Sequence, residues 1–551
     1  MKKKLLFALA LFTGTLYAQD FQWVKTAGSV NNDFGTAICV DNNGNSYAAG
    51  YGEVSYVAPN YMYGMRVAKY NSTGTEVWVK QILNPTGSNS VVAYDIANDA
   101  DGNIYVVGAF FGTINFDTGF PVSSQSSTDD GFILKLNNNG DFQWVQAIKS
   151  SSFIDIRKIK VNGVGELLVG GVFSGTVDFD PSAAVSNRTS QGMKDVFYGK
   201  FSGAGDLLWV KQIGSSYDVS IVGLEVDASN NIYVAGSFKV AGNFDVGNSP
   251  QNLTTADVYA DAYILKVSNS GTFDWVKQIG ASQYNDNLVK ALSVGSHICL
   301  AGNFTHEIDF DPGPGEAILE FLGEVDGYVL SLNLNGEFSW VKQLSAEGYG
   351  SVDIRSVTQN LAGDLALTGS FTGTVDFDPN TGTVNLGSGG LENSDLFTWH
   401  LTSDGNFGWA INCGGVQYNH QRGDDVAMDN DGNVWAIGRF VGTVDFNPGA
   451  GVSNQTAVGG YDAYVLKLSS SGLSIDNLND VSSLSIYPNP VTDYLNIQTT
   501  FMGSATIFNM DGRIHETFQV LDQTQLNLSL YPSGVYFILL ENGVSMKFVK
   551  E

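Results

Sequence analysis

Phe273-Asp274-Trp275-Val276-Lys277-Gln278-Ile279-Gly280 is one copy of a unit that recurs along the chain. Its tryptophan returns at Trp23, Trp78, Trp144, Trp209, Trp275, Trp340 and Trp409, at intervals of 55, 66, 65, 66, 65 and 69 residues. The frame around it is kept, as in Phe142-Gln143-Trp144-Val145 and Phe338-Ser339-Trp340-Val341-Lys342-Gln343-Leu344. Seven copies at this period define a repeat protein, and the repeat constrains the fold before any other feature does.

Each unit holds four strand-like runs. In one of them these are Ala93 to Asn98, Asn103 to Phe110, Gly131 to Leu136 and Phe142 to Ile148. The first two runs are joined by turns such as Asp99-Ala100-Asp101-Gly102-Asn103, and the last two by turns such as Asn137-Asn138-Asn139-Gly140. Asn-Gly and Asp-Gly supply the positive φ angles that hairpins need. A four-stranded meander repeated seven times predicts an all-β fold, a seven-bladed β-propeller. The repeat region opens on a fourth-type strand, Phe21 to Lys25, and closes on a third-type strand, Ala463 to Leu468. The N-terminal strand is therefore expected to complete the last blade and remove two exposed edges. The second strand repeats a glycine, at Gly50, Gly108, Gly171, Gly236, Gly302, Gly369 and Gly438, with Phe two residues later in six of the seven units.

The 551 residues carry 56 acids against 28 bases, a formal charge of -28. That balance excludes a nucleic-acid surface, which needs a basic stripe. Lys2 to Lys4, the apolar run Leu5 to Phe12, and Thr13 to Ala18 predict a secretory leader cut after Ala18. With no Cys after the apolar run, no lipid anchor is expected, and no transmembrane segment is expected in the mature chain. Cys39, Cys299 and Cys413 stand singly, without metal-ligand spacing, and Cys39 and Cys299 are expected as buried thiols.

The runs W-V-K-Q-I, D-x-x-G-N-x-Y-x-x-G and D-A-Y-x-L-K over residues 21 to 470 resemble the seven-bladed propeller repeats of bacterial secreted proteins. That resemblance implies a fold and no activity. The expected organisation is a leader at 1–18, the propeller at 19–470, a linker at 471–483 and a small Ig-like β-sandwich at 484–551. This last segment contains Tyr487-Pro488-Asn489-Pro490, Asp511-Gly512-Arg513, Gly534-Val535-Tyr536 and Lys547-Phe548-Val549-Lys550, in that order. It resembles the type A C-terminal sorting domain of the type IX secretion system of Bacteroidetes. The resemblance implies that the secretion machinery is a partner. It also implies passage through the periplasm, removal of the domain, and release or attachment at the outer cell surface. Tyr487, Pro488, Asn489, Pro490, Asp511, Gly512, Gly534, Tyr536 and Lys547 are the residues that carry it.

The candidate chemistry lies after each second strand: Asn115-Phe116-Asp117, Asp178-Phe179-Asp180, Asn243-Phe244-Asp245, Asp309-Phe310-Asp311, Asp376-Phe377-Asp378 and Asp445-Phe446-Asn447. In an extended segment the flanking oxygens share one side while Phe faces the other. Two neighbouring carboxylates call for hydrogen-bond donors or a hard cation. The first reading is turn chemistry; the alternative is Ca²⁺ held by Asp178 and Asp180, Asp309 and Asp311, or Asp376 and Asp378. No zinc, phosphate-loop or nucleophile-elbow motif occurs, and none of the five histidines pairs at a catalytic spacing. The fifth unit departs at Gly295-Ser296-His297 and Thr305-His306-Glu307, which reads as drift. The expected function is binding, to extracellular glycan or protein, on the face formed by the second-to-third and fourth-to-first loops. The alternatives are a polysaccharide hydrolase or lyase on that face, and a passive surface protein.

Overall fold

In the computed structural model the described residues are 18–551, apart from 58–59, 83–88, 118–120, 124–128, 245–250, 256–258, 281–287, 347, 416–419, 450, 472–484, 500–502, 510–513, 522 and 541–544. Residues 1–17 of the expected leader, 472–483 of the expected linker and the Asp511-Gly512-Arg513 run thus lie outside the described residues, while Ala18 and Ser471 pair as the ends of two strands. The chain divides into a unit ending at Ser471 and a second from Gly472 to Glu551.

Among the described residues the first unit contains seven antiparallel blades of four strands each; the second blade's fourth strand also pairs with the short strand Thr176–Asp178, so that its sheet has six strands. Six blades take their four main strands from one continuous stretch of chain, as in the third blade: Phe153–Val161, Leu167–Ser174, Asp195–Phe201 and Leu207–Ile213. The seventh takes Arg422–Met428, Val434–Phe440 and Asp462–Ser471 from the end of the unit and Ala18–Ala27 from its start. Val24 pairs with Leu466 and Ala27 with Ala463, so the N-terminal strand closes the ring as its fourth-type sequence requires.

The repeated residues have physical roles at the seams between blades. Trp78 Nε1 donates to the Asn138 carbonyl of the next blade at 2.9 Å, and Trp23 does the same to Ser72 at 3.2 Å. Gly140, at φ 79°, lies on the Trp78 ring, where a Cβ would come within 2.7 Å of it. A Cβ on Gly108 would meet the Val92 carbonyl of its own blade at 1.9 Å. The Asp-x-x-Gly-Asn-x-Tyr turns are hairpins closed by side chains: Asp41 accepts from Asn43 and Asn45 backbone N–H, and from Tyr47 Oη at 3.0 Å. Burial works against the charge of Asp41, but these donors hold its carboxyl below the usual range.

The core is distributed as one apolar cluster per seam, each shared by two adjacent blades. Six seams hold between fifteen and seventeen buried apolar residues. The seam between the seventh and first blades holds nine, three of them alanines.

Among its described residues the second unit has seven strands in two sheets. One contains Ser485–Tyr487, Tyr494–Gln498 and Gln523–Asn527; the other contains Gly503–Asn509, Ile514–Val520, Gly534–Leu540 and Ser545–Lys550. Val491, Leu495, Ile497, Ile507, Ile538 and Phe548 are buried between them.

Candidate functional site

The repeated acids are placed by a short strand that leaves the second strand of each blade. In the third blade this is Thr176–Asp178, paired with Asn187–Thr189. Asp178 Oδ1 accepts from the backbone N–H of Asp180 at 3.1 Å and of Ser186 at 2.8 Å, and Asp180 Oδ1 accepts from Ser182 at 2.9 Å. Asp309 is bound by Asp311 and Ala317 N–H, Asp376 by Asp378 and Val384 N–H, and Asp445 by Asn447 and Ser453 N–H. Asp311 and Asp378 accept from Gly313 and Asn380. These bonds supply the donors the paired carboxylates need, in the geometry of side-chain-closed turns. Among the described residues no group of three or more His, Cys, Asp or Glu is placed to hold a metal ion.

The Phe of each such segment is fully buried: Phe116, Phe179, Phe244, Phe310, Phe377 and Phe446 are at most 1% exposed. Each packs with one ring of the second strand and one of the third. In the third blade Phe179 lies 5.4 Å from Phe173 and 4.7 Å from Phe197. The same three-ring group recurs as Phe110, Phe116 and Phe132, and as Phe440, Phe446 and Tyr464. It faces the preceding blade: the rings of the second blade share a cluster with Met65 and Ile82 of the first.

The first blade has no such group. Register places Gly52 where the other blades have the second-strand Phe, and Arg66 opposite Gly50, where Phe132 faces Gly108. Its second and third strands, Ser46–Val57 and Asn60–Tyr70, form a direct hairpin with no Asp-Phe-Asp segment between them. The facing side of the seventh blade is smaller as well. Ala27 takes the fourth-strand position held by Ile82, Ile148, Ile213, Ile279, Leu344 and Cys413 in the others. A cavity of about 620 Å³ occupies this seam. Phe34, Tyr51, Tyr70 and Tyr464 contribute rings to its wall; Lys25, Asp33, Glu53 and Arg66 contribute charges. Phe34 and Tyr51 lie 5.2 Å apart. Asp33 accepts from Ser29 N–H at 2.7 Å, Glu53 from Asn32 Nδ2 at 2.9 Å, and Arg66 pairs with Glu76 at 3.0 Å. Burial pushes the Asp33 carboxyl up, with the bonds to Ser29 working against it. Gly28, Ser29 and Asn31 of the fourth-to-first connection line the cavity, which thus lies on the face formed by the second-to-third and fourth-to-first loops.

The first strands of all seven blades line a second cavity, of about 360 Å³, along the axis. A bulge in six of these strands breaks their alternation and turns charged side chains inward. Lys160 Nζ meets Glu225 at 2.9 Å, and Arg355 meets Asp353 at 2.8 Å. Burial opposes the charge of Lys160, but Glu225, Asp95 and Asp425 outweigh it and push its pKa up. Asp95 and Asp425 tie blades together by accepting from Ile159 and Ile38 N–H at 2.9 and 2.8 Å. Four acids (Asp95, Glu225, Asp424, Asp425) and four bases (Lys158, Lys160, Lys290, Arg355) line the channel, so the charges balance. Sequence reading missed both the axial charges and the seam cavity. Its one departure from an expected placement is Cys39, which is not fully buried and opens on this channel, whereas Cys299 is buried. In the fifth blade, the carbonyl of His297 accepts from Gln359 at 3.1 Å, a structural contact.

In the second unit, Asn489 Nδ2 donates to the Lys547 carbonyl at 3.1 Å and its Oδ1 accepts from Val549 N–H at 2.9 Å. The opening Tyr487-Pro488-Asn489-Pro490 run is thereby stapled to the last strand. Tyr536 is buried and donates to the Pro532 carbonyl at 2.8 Å; Tyr487 is half exposed, and Gly534 begins its strand.

The family profile of the secretion system C-terminal sorting domain matches residues 485–551. The chain is also similar to an uncharacterized WD repeat-containing protein, L264, of Acanthamoeba polyphaga mimivirus, at 21% identity over 76% of this chain and 36% of that protein. The chain thus spans 36% of the length of this curated relative. Among solved structures, it is similar to a protein of unknown function from Dyadobacter fermentans, at 12% identity and a TM-score of 0.33, covering 81% of this chain and 99% of that one. YCF48 from Cyanidioschyzon merolae matches at 9% identity and a TM-score of 0.28, covering 82% of this chain and 99% of that one. The chain is a β-propeller protein that ends in a secretion-system sorting domain. That domain marks proteins handled by the type IX system, which are secreted or attached at the outer cell surface. No helix of the described residues is long and apolar enough to cross a membrane.

Proposed function

We propose that the propeller is an extracellular binding module and that the cavity between its seventh and first blades is the recognition site. One observation carries this reading: among the described residues, the ring group that six seams share is missing between the seventh and first blades, where a cavity of about 620 Å³ lies. That volume lies within the range of roughly 300–1,000 Å³ usual for ligand sites, and aromatic walls with a few polar groups are their usual lining. A repeat protein that needed only stability would keep all its seams alike. The recurrent acids of the third, fifth, sixth and seventh blades are occupied in turns, which supports binding over catalysis. The test is an array of extracellular glycans and peptides probed with the mature protein and with Ala27→Ile, which restores the side chain of the other seams. Ligands captured by the parent and lost in the variant are expected. Ligands captured equally by both would place recognition elsewhere.

A further inference from the structure

We infer that this cavity takes an extended polypeptide segment in which an aromatic residue is flanked by acids, the pattern that the chain itself supplies at three of its other seams, with Asn in place of one acid at the remaining three. The inference rests on the binding reading above and names its ligand class. Three features of the filled seams define what fits.

The first is the ring. At six seams a Phe from such a segment completes an aromatic group; at this seam the segment is absent, Arg66 and Ala27 replace a ring and a larger side chain, and a cavity remains, with the Asp33 carboxylate taking the space beside Gly52. The second is a backbone edge. At several filled seams the short strand pairs with the chain just past the preceding blade's fourth strand, as in Ser150 with Val177, Ala346 with Val375 and Gly415 with Val444. The counterpart here is the backbone near Gly28 and Ser29, and among the described residues no strand pairs with it. An incoming segment can add there as a short strand. The third is a cation. At the first-to-second seam Lys80 pairs with Asp117, the acid after Phe116, at 3.1 Å. Lys25 holds the equivalent fourth-strand position and lines the cavity, and among the described residues no acid pairs with it. Backbone pairing favours a polypeptide over a glycan, and the ring and the lysine set its side-chain order.

The probe is an acetylated, amidated peptide copying residues 175–181, Gly-Thr-Val-Asp-Phe-Asp-Pro, titrated calorimetrically into the mature full-length protein. Saturable binding below about 1 mM is expected. A peptide with alanine in place of the residue copied from Phe179 needs no change to the protein and should bind at least about tenfold more weakly. Ala27→Ile should weaken the parent peptide by a similar factor, and Lys25→Ala by less, with a shallower salt dependence. No binding at millimolar peptide, or equal binding of the alanine peptide, overturns the inference. If the array yields a ligand that Ala27→Ile excludes while the peptide fails, the ligand class is wrong and the binding reading stands.

Discussion

The seam between the second and third blades and the seam between the seventh and first are built from the same repeat and end in opposite states. At the former, Phe173, Phe179 and Phe197 pack against Ile148 of the preceding blade, and all four are at most 1% exposed. At the latter, the corresponding positions are Gly52, an absent segment, Arg66 and Ala27. The difference falls where the ring is closed by the N-terminal strand, held by pairing along Ala18–Ala27 and by the Trp23 contact to Ser72. Closure there depends on strand pairing and on a tryptophan clamp, so ring packing is free to be given up. A cavity arises in this repeat protein where part of the repeat is left out.

The largest effect should come from the closing strand itself. Deleting residues 19–27 removes the fourth strand of the seventh blade and exposes Trp23's partners; the melting temperature should fall by more than about 10 °C. A truncated protein that melts with the parent would mean that the strand does not close the ring. Next, Phe179→Ala should cost about 3–5 kcal/mol in denaturant unfolding, whereas Arg66→Ala, whose ion pair with Glu76 is partly exposed, should cost less than about 1 kcal/mol. Equal losses would erase the contrast between the two seams. Ala27→Ile should go the other way and stabilise by about 0.5–1 kcal/mol, because it adds apolar volume to an existing cavity. A destabilising result would show that the cavity cannot accept a side chain there. The smallest effect concerns the paired acids. Since Asp178, Asp309 and Asp376 already accept two backbone bonds each, millimolar Ca²⁺ or EDTA should leave the melting temperature unchanged within about 1 °C. A Ca²⁺-dependent rise, lost in Asp178→Asn with Asp180→Asn, would instead make these turns cation sites.

The blades, their number and the closing strand were legible because they follow from local signals: the Trp frame, the turn residues, and a fourth-type strand at one end matched by its absence at the other. The second unit was legible for a different reason, the resemblance of its Tyr-Pro-Asn-Pro, Asp-Gly-Arg and Gly-Val-Tyr runs to a sorting domain, whose family profile matches residues 485–551. The missing Phe and the missing Asp-Phe-Asp segment of the first unit were also visible as counts. Their consequence was not, because only the folded seam shows that these rings face the preceding blade, and that Ala27 faces them from across it. The axial charges were hidden for a different reason. Ile154-Asp155-Ile156-Arg157-Lys158-Ile159 alternates irregularly because of a bulge between Ile156 and Lys158, and strict period-two reading cannot say which side chains point to the axis. The fifth unit, singled out by its histidines, proved ordinary in its packing, while the first unit carries the departure.

The contrast between one open seam and six packed ones can be read from thiol accessibility. Ala27→Cys and Ile148→Cys place a thiol at matched fourth-strand positions, one in the cavity wall and one fully buried. The native thiols Cys299 and Cys413 give a low background, since burial pushes them up and disfavours the reactive thiolate; Cys39, which opens on the axial channel, is replaced by alanine in both proteins. Reaction of the folded proteins with a bulky maleimide should be at least about a hundredfold faster at position 27 than at 148, the latter requiring local opening of a packed seam. Equal protection of the two thiols would contradict the account.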